Sequence, residues 1–422
     1  MSESHRIGSV SLQEIRELFD GIGAIGAGDD GGCERLAFSP AERQARQALA
    51  EAGTRLGLIV RRDSFASTFL VLEGREPQLP PVLTGSHLDT VPAGGCFDGA
   101  AGVLCGLAAL SLIRRAGVVP KRPLALVSWV NEEGARFSPA MMGSGVFTGE
   151  LRAEALRGQR DRSGVSLGEE LDREVLPTEE LNAGDSAAAT GAIPTPAYYL
   201  ELHPEQGRLL EQAGVPVGIV EGVFGQVAGD WEIRGRADHA GSTPMDDRAD
   251  ALVAAGELVA AVAELAAGEP PGVATVGELA VPEGARNVVP GIVRGTLDIR
   301  HPEDTGVLRI EERILSRARK LAERRACSFH WSRAWQSRAV RFDPELTAML
   351  EDAAKQHGIG SLRLASAAGH DAVRLSRVCP SAMLFVPSRD GISHSPREHT
   401  AYEDLASGAT LLADALIQLS ER

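Results

Sequence analysis

A long apolar segment is missing from all 422 residues of this sequence. A transmembrane helix needs about 20 consecutive apolar residues, and no run here approaches that length. The first residues, MSESHRIGSVSLQEIRELF, also lack the cationic segment and apolar core of a secretory signal. We therefore expect no membrane partner and a cytoplasmic location.

Cysteine and positive charge are also scarce. The five cysteines are Cys33, Cys96, Cys105, Cys327 and Cys379, an odd number without CxxC spacing, which indicates reduced thiols. Asp and Glu number 58 against 43 Lys and Arg, which gives a formal net charge of -15. Because nucleic acid repels such a chain at long range, we expect a small-molecule partner and no nucleic acid.

Length and pattern predict an α/β protein with two domains. Apolar, β-branched runs alternate with helical stretches in residues 1–215 and again in 327–422. This alternation predicts a catalytic domain in two parts, with a mixed, largely parallel sheet and helices on both faces. Residues 216–326 change to alternating strands around two helices, which predicts an inserted ferredoxin-like α+β domain. Residues 155–196, rich in Ala, Gly and Pro at their end, are interpreted as a rim insertion.

Polar clusters follow four of the predicted strands. They are His87 and Asp89 after VLTGS, Glu132 and Glu133 after LALVSWV, His203 and Glu205 after YYLEL, and His394 after AMLFVPS. In an open α/β sheet, ligands bind at the carboxyl ends of the strands, where separate loops converge. Each cluster alone is typical of an ordinary polar loop, but four together predict a metal site.

The expected metal ligands are three imidazoles and two carboxylates, namely His87, Asp98, Glu133, His203 and His394. This mixture suits Zn, Mn, Co or Ni better than calcium or magnesium. A single catalytic zinc takes about three protein ligands, so five fit two divalent metal ions that share a carboxylate. Asp98 is the expected bridge because FDGAAG places it directly before a glycine-rich helix start.

Two further carboxylates have predicted roles beside the ligands. Asp89, two residues after His87, is expected to accept the other ring N–H of that histidine and so fix its tautomer. Of the adjacent Glu132 and Glu133, one can bind metal while the other takes a proton from water. We assign Glu132 as this general base.

Eight sequence blocks resemble a known family. In order they are GSHLDTVPAGGCFDGAAGV, VNEEGARF, ELHPEQG, GRADHAGSTPM, RNVVPG, DIRH, AAGHDA and GISHSPREHT. They are similar to the signature of the amidase, hydantoinase and carbamoylase branch of the M20 metallohydrolases. That branch includes N-carbamoyl-L-amino acid hydrolases, allantoate amidohydrolases and β-ureidopropionases. The resemblance implies the same five metal ligands, with Asp98 bridging and Glu132 as general base.

The resemblance also implies a homodimer through the inserted domain, which would act as a dimerisation and lid domain. The matched positions are His239 for oxyanion stabilisation, Asn287 and Gln206 for substrate contacts, Arg300 for a carboxylate clamp, and His370 and Asp371 for support around the ligands. An Arg fork suits a carboxylate because it forms two parallel hydrogen bonds.

The implied reaction is hydrolysis of the ureido C–N bond of an N-carbamoyl-L-amino acid to the amino acid, CO2 and ammonia. Three alternatives stay open: an allantoate amidohydrolase, an M20-type dipeptidase or aminoacylase, and a catalytically silent metal-binding protein. The chain departs from the family pattern at Ala66 and Ser67, where a Gly-Asn pair is usual, and at Cys33, where an aliphatic residue is usual. These departures concern the substrate rather than the metal chemistry.

Overall fold

The computed structural model describes residues 8–29, 31–174 and 193–422. It has two compact units. The larger comprises the chain up to Glu221 with Phe342–Leu364 and Gly369–Arg422, and the smaller comprises Gly222–Arg341 and Ala365–Ala368. Residues 175–192 of the expected rim insertion lie outside the described residues.

Helices occur along both parts of the chain. They are α1 (Leu12–Leu18), α2 (Pro40–Arg55), α3 (Ala100–Arg115), α4 (Met142–Phe147), α5 (Ala153–Leu156), α6 (Leu167–Arg173), α7 (Leu209–Ala213), α8 (Ala251–Ala267), α9 (Asp304–Arg324), α10 (Pro344–His357), α11 (Asp371–Leu375) and α12 (Tyr402–Ser420). Only α8 and α9 of these belong to the smaller unit. Among the described residues, no helix has the length and apolarity to cross a membrane.

The strands are β1 (Ile59–Arg62), β2 (Thr68–Leu72), β3 (Val82–His87), β4 (Leu124–Trp129), β5 (Tyr198–Pro204), β6 (Val217–Val223), β7 (Gly225–Arg234), β8 (Asp238–His239), β9 (Val273–Thr275), β10 (Leu279–Ala280), β11 (Val288–Val289), β12 (Ile292–His301), β13 (Ser328–Ser337), β14 (Val340–Arg341), β15 (Ser361–Ser366) and β16 (Ser381–Val386).

The sheet of the larger unit has the strand order β1-β2-β4-β3-β5-β16-β6, and β15 also pairs with β6. Its four central strands, β4, β3, β5 and β16, are parallel, whereas β1, β2 and β6 pair antiparallel. The prediction of a mixed α/β fold is confirmed, but parallel pairing is confined to the centre. The reason is local: residues 63–67 form only a tight turn between β1 and β2, too short for a parallel crossover.

Burial explains why the central strands read as continuous apolar runs. Every residue of β3, β4 and β16 is buried, as expected for parallel strands covered on both faces.

Helix α3 packs closely on this sheet through its glycines. A Cβ at Gly102 would collide with the main chain of Leu202 in β5, and a Cβ at Gly106 would press on Leu126 in β4.

The smaller unit has an antiparallel sheet of order β10-β12-β7-β13, with β9 also paired to β12. Burial alternates along β7, so that one face packs against α8 and α9 through residues such as Val227, Leu258 and Ile310. The compact unit ends later than the predicted insert of 216–326, because β13 (Ser328–Ser337) pairs with β7 over its length. The ferredoxin-like description and the domain roles stay predictions.

Stability of the larger unit should depend on the buried guanidinium of Arg46. It is fully buried and lies 3.0 Å from Oε2 of both Glu42 and Glu174. We expect Arg46→Met to lower the free energy of unfolding by about 3–5 kcal/mol, because the buried Glu42 carboxylate loses the guanidinium that pairs with it in a desolvated site. Glu174 loses one of its partners but keeps Arg43 at 2.6 Å. Denaturant unfolding followed by circular dichroism measures this change in the free energy of unfolding.

Arg75→Met is the control: the Arg75–Glu421 pair is about half exposed, and its loss should cost under about 1 kcal/mol. Equal losses in the two variants would contradict the account.

Candidate metal centre

The polar clusters of the sequence lie at the carboxyl ends of four neighbouring parallel strands. His87 is the last residue of β3, and Glu132 and Glu133 follow β4. His203 lies at the end of β5, and His394 lies in the loop after β16. Since these strands are adjacent and parallel, their ends meet at one edge of the sheet.

The five predicted ligands form two groups that share Asp98. One potential ligand atom from each of His87, Asp98 and His203 lies within 4.8 Å of the others, and the same holds for Asp98, Glu133 and His394. His203 Nε2 is 3.2 Å from Asp98 Oδ1, whereas His394 Nε2 is 3.0 Å from Asp98 Oδ2 and 3.5 Å from Glu133 Oε2. Asp98 therefore presents one carboxylate oxygen to each group.

Two imidazoles have their Nε2 atoms directed toward this cluster. His87 Nδ1 lies 2.8 Å from the main-chain oxygen of Asp89, and His203 Nδ1 lies 3.1 Å from that of Pro204. A carbonyl oxygen can only accept, so each Nδ1 carries the proton and each Nε2 keeps its lone pair. Burial lowers the pKa of His87 to about 4, which keeps the ring neutral. His87 therefore has the form that binds a metal, and the contact with Pro204 favours the matching tautomer of His203.

Several carboxylates lie close together at this edge of the sheet, and burial shifts their pKa values. Burial raises the pKa of Glu133 to about 8 and, together with the charge of Asp371, raises that of Glu132 well above its usual value. Glu133 Oε1 is buried without a hydrogen-bond partner among the described residues. For Asp98, burial acts to raise the pKa, but the hydrogen bond from His394 and the neighbouring imidazoles hold it below its usual value. A divalent cation would balance this acidic cluster, so the donor set fits a metal.

Asp89 acts on the site through two different groups. Its main-chain oxygen, as described above, contacts His87, whereas its carboxylate oxygens accept the main-chain N–H groups of Glu132 (3.1 Å) and Glu133 (3.2 Å). Asp89 Oδ1 is 3.8 Å from His87 Nδ1, beyond hydrogen-bonding distance. The expected contact with His87 is thus made by the main chain, and the Asp89 side chain holds the Glu132–Glu133 segment.

Backbone conformation is unusual around the candidate site. Asn131, Gln206 and His394 have φ values of 52°, 58° and 53°, in the left-handed region that non-glycine residues rarely occupy. Gly99, with φ of 64°, lies between Asp98 and the first residue of α3, and a Cβ there would collide with the His87 ring. Such strain is commonly concentrated at functional sites.

Gln206, predicted to contact substrate, lies against the shared ligand in this structure. Its Nε2 donates to Asp98 Oδ2 at 2.9 Å and lies 3.2 Å from Ser393 Oγ. Its Oε1 has no partner among the described residues and is available to a donor. The substrate role itself stays a prediction.

His370 and Asp371, which follow β15, lie beside the candidate ligands, and their predicted supporting role stays a prediction. The ring of His370 packs against that of His203, with centroids 4.5 Å apart. Asp371 is fully buried and accepts a hydrogen bond from Ser144 Oγ.

Two buried carboxylates near the ligands were missed by the sequence interpretation. Glu201 accepts from Ser86 Oγ (2.8 Å) and the Ala372 N–H (2.8 Å), and Glu398 accepts the N–H groups of Phe97 and Asp98. Glu201 could have been identified from its position two residues before His203 on β5, because alternate strand residues share a face.

The remaining predicted residues lie in the smaller unit. His239 Nδ1 accepts the N–H groups of Gly241 (3.1 Å) and Ser242 (3.0 Å), so the proton of the neutral ring is on Nε2, which can donate. Asn287 lies beside it, since its main-chain oxygen accepts the Ala240 N–H at 2.9 Å. Arg300 donates to Asp298 Oδ1 (2.8 Å) and to the Ala367 oxygen (2.7 Å), which fixes its guanidinium.

The contacts of the Asp89 carboxylate can be tested by hydrogen–deuterium exchange. In Asp89→Ala, we expect the amides of Glu132 and Glu133 to exchange at least about tenfold faster, because each loses a charge-assisted hydrogen bond. Asp63→Ala is the matched control, since Asp63 Oδ1 also accepts two amides, those of Phe65 and Ser67, both at 2.9 Å. Unchanged exchange at Glu132 and Glu133 in Asp89→Ala would contradict the contact.

Known proteins resemble most of the chain. The family described as Peptidase family M20/M25/M40 matches residues 83–418. An N-carbamoyl-L-amino acid amidohydrolase of Geobacillus stearothermophilus is 38% identical over 95% of this chain and 96% of its own length. An allantoate amidohydrolase of Bacillus subtilis is 32% identical over 96% and 97%.

Solved structures agree with these sequence matches. The crystal structure of an amidase of the hydantoinase/carbamoylase family from Burkholderia multivorans has a TM-score of 0.91 and 33% identity, and the match covers 98% of this chain and 99% of that one. The chain belongs to the M20/M25/M40 peptidase family, within its hydantoinase and carbamoylase branch of amidohydrolases.

Proposed function

We propose that this chain is a two-metal amidohydrolase that cleaves the ureido C–N bond of N-carbamoyl-L-amino acids to the amino acid, CO2 and ammonia. The observation that carries the proposal is the position of Asp98, which faces an imidazole through each of its carboxylate oxygens. A carboxylate in this position can bridge two cations, as a dinuclear hydrolase requires.

His87 and His203 with Asp98 would hold one ion, and Glu133 and His394 with Asp98 the other. The mixture of imidazole and carboxylate groups favours Zn, Mn, Co or Ni. When bound, such cations act as Lewis acids toward a carbonyl oxygen and toward water.

Glu132 is the group that moves the proton. Its Oε2 lies 3.5 Å from His87 Nε2, so the carboxylate borders the metal ligands. It takes a proton from the attacking water and returns it to the leaving nitrogen. The Asp89 side chain holds the Glu132 main chain in place for this task.

Substrate recognition is assigned to the smaller unit and to Gln206. The Nε2–H of His239 donates to the oxygen of the ureido carbonyl as negative charge develops there. Arg300 and Asn287 bind the α-carboxylate, for which a guanidinium offers two parallel hydrogen bonds. The free Oε1 of Gln206 accepts an N–H of the ureido group.

A substrate panel scored for ammonia tests the reaction. Metal-reconstituted protein should release ammonia from N-carbamoyl-L-amino acids and not from the matched D enantiomers. Allantoate, which carries two ureido groups, is the competing substrate, because one relative is an allantoate amidohydrolase. Activity on allantoate alone would sink the proposal, and release of amino acids from dipeptides or N-acyl amino acids without ammonia would indicate a peptidase or aminoacylase.

We further propose a homodimer through the smaller unit, in which His239 of one subunit serves the metal site of the other. Exposed apolar side chains on α8, β9 and β10 support an interface there. Leu252 and Val253 are 37% and 38% exposed, and Val273 and Leu279 are 47% and 48% exposed.

Co-expression of two inactive variants tests the sharing of sites between subunits. Glu132→Gln removes the proton acceptor, and His239→Asn should lower kcat about a hundredfold or more. If the two residues act in one site from different subunits, hybrid dimers contain one intact site, and an equal mixture should recover about a quarter of wild-type activity. Each variant expressed alone is the control. A mixture no more active than the single variants would contradict a shared site.

A further inference from the structure

Glu398 connects the two segments that carry Asp98 and His394. Its Oε2 accepts the main-chain N–H groups of Phe97 at 2.9 Å and of Asp98 at 3.0 Å. Its Oε1 accepts from Ser393 Oγ at 2.9 Å. The side chain is buried, with 6% of the residue exposed, so these contacts are shielded from water.

Glu398 and Ser393 contact each other, and both also contact Asp98. Ser393 Oγ lies 3.2 Å from Asp98 Oδ2, so the same hydroxyl reaches both carboxylates. Asp98 is therefore held at its main chain by Glu398 and approached at its side chain by Ser393. Because Ser393 directly precedes His394, these hydrogen bonds also fix the position of this histidine relative to Asp98.

The main chain before Asp98 is shaped to admit the Glu398 carboxylate. Gly95 lies against it, and a Cβ at this position would collide with the Glu398 side chain. Only a glycine allows the two segments to approach this closely.

Both carboxylate oxygens of Glu398 accept hydrogen bonds, Oε2 from two main-chain amides and Oε1 from the Ser393 hydroxyl. A carboxylate in this setting is suited to hold other groups in position rather than to bind a cation. Its placement beside Asp98 is electrostatically unfavourable, because two carboxylates share a buried region.

We propose that Glu398 is a positioning residue for the metal centre, which sets the orientation of Asp98 and, through Ser393, the position of His394. The inference rests on the proposed two-metal function, since it assigns Asp98 and His394 to metal ligation. It adds a residue outside the predicted ligands on which metal affinity depends.

Metal affinity, measured on the full chain without reference to turnover, tests the inference. Zn(II) affinity is determined by competition with a chelator, and Co(II) absorption reports the coordination geometry. In Glu398→Ala we expect the affinity for at least one ion to fall about 10- to 100-fold and the Co(II) bands to shift, because Asp98 loses its support.

Glu398→Gln distinguishes hydrogen bonding from general destabilisation. The glutamine keeps one oxygen for the amides of Phe97 and Asp98 and an NH2 group that Ser393 Oγ can accept. It should therefore recover most of the affinity and the wild-type Co(II) spectrum. Asp63→Ala, which also removes a carboxylate that accepts two amides, should leave both unchanged.

If Glu398→Ala does not fold, Ser393→Ala replaces it, since only a hydroxyl is removed. We expect a severalfold loss of affinity in this variant, and unchanged affinity would overturn the inference. Wild-type affinity and spectrum in a folded Glu398→Ala would also overturn it, as would an equal loss in Asp63→Ala. Failure of the proposed two-metal function is distinguishable from failure of this inference, because the wild-type protein itself would then bind fewer than two ions per chain.

Discussion

Parallel pairing of β4, β3, β5 and β16 is the constraint on which the candidate site depends. Four separate segments, spread from His87 to His394, reach one edge because these strands are neighbours that point the same way. The strands are buried throughout or nearly so, which limits any change in their register. A rigid sheet thus sets the positions of loops whose own backbone is strained.

Hydrogen bonding separates the carboxylates of this edge into two kinds. Asp89, Glu201 and Glu398 accept from main-chain amides or hydroxyls and so support their neighbours. Glu133 instead has a buried oxygen that lacks a partner among the described residues, and Asp98 faces imidazoles. Main-chain amides of the protein are therefore directed to the supporting carboxylates, whereas the carboxylates of the candidate ligands face imidazoles or, at Glu133 Oε1, have no partner among the described residues.

The gathering of the five candidate ligands could be predicted from the sequence because it follows from local patterns. Each ligand segment comes after an apolar run, and the edge rule for parallel strands brings the ends of such runs together. The prediction needed only that the strands are parallel neighbours, and not their order within the sheet.

Other features depend on contacts that no local pattern records. The role of Glu398 depends on two amides about 300 residues earlier in the chain, and the partner of the Asp89 carboxylate lies on a different strand end. The extent of the smaller unit is of the same kind, since the membership of β13 is decided by its pairing with β7. Spacing along the chain predicts which side chains reach an edge, but not which main-chain groups they meet there.

Anomalous X-ray diffraction from crystals of the metal-loaded protein, measured at the absorption edge of the added metal, tests the central claim most directly. We expect two peaks per chain, one between His87 and His203 and the other between Glu133 and His394, with Asp98 contacting both. A single ion per chain, or two ions of which Asp98 contacts only one, would contradict the account.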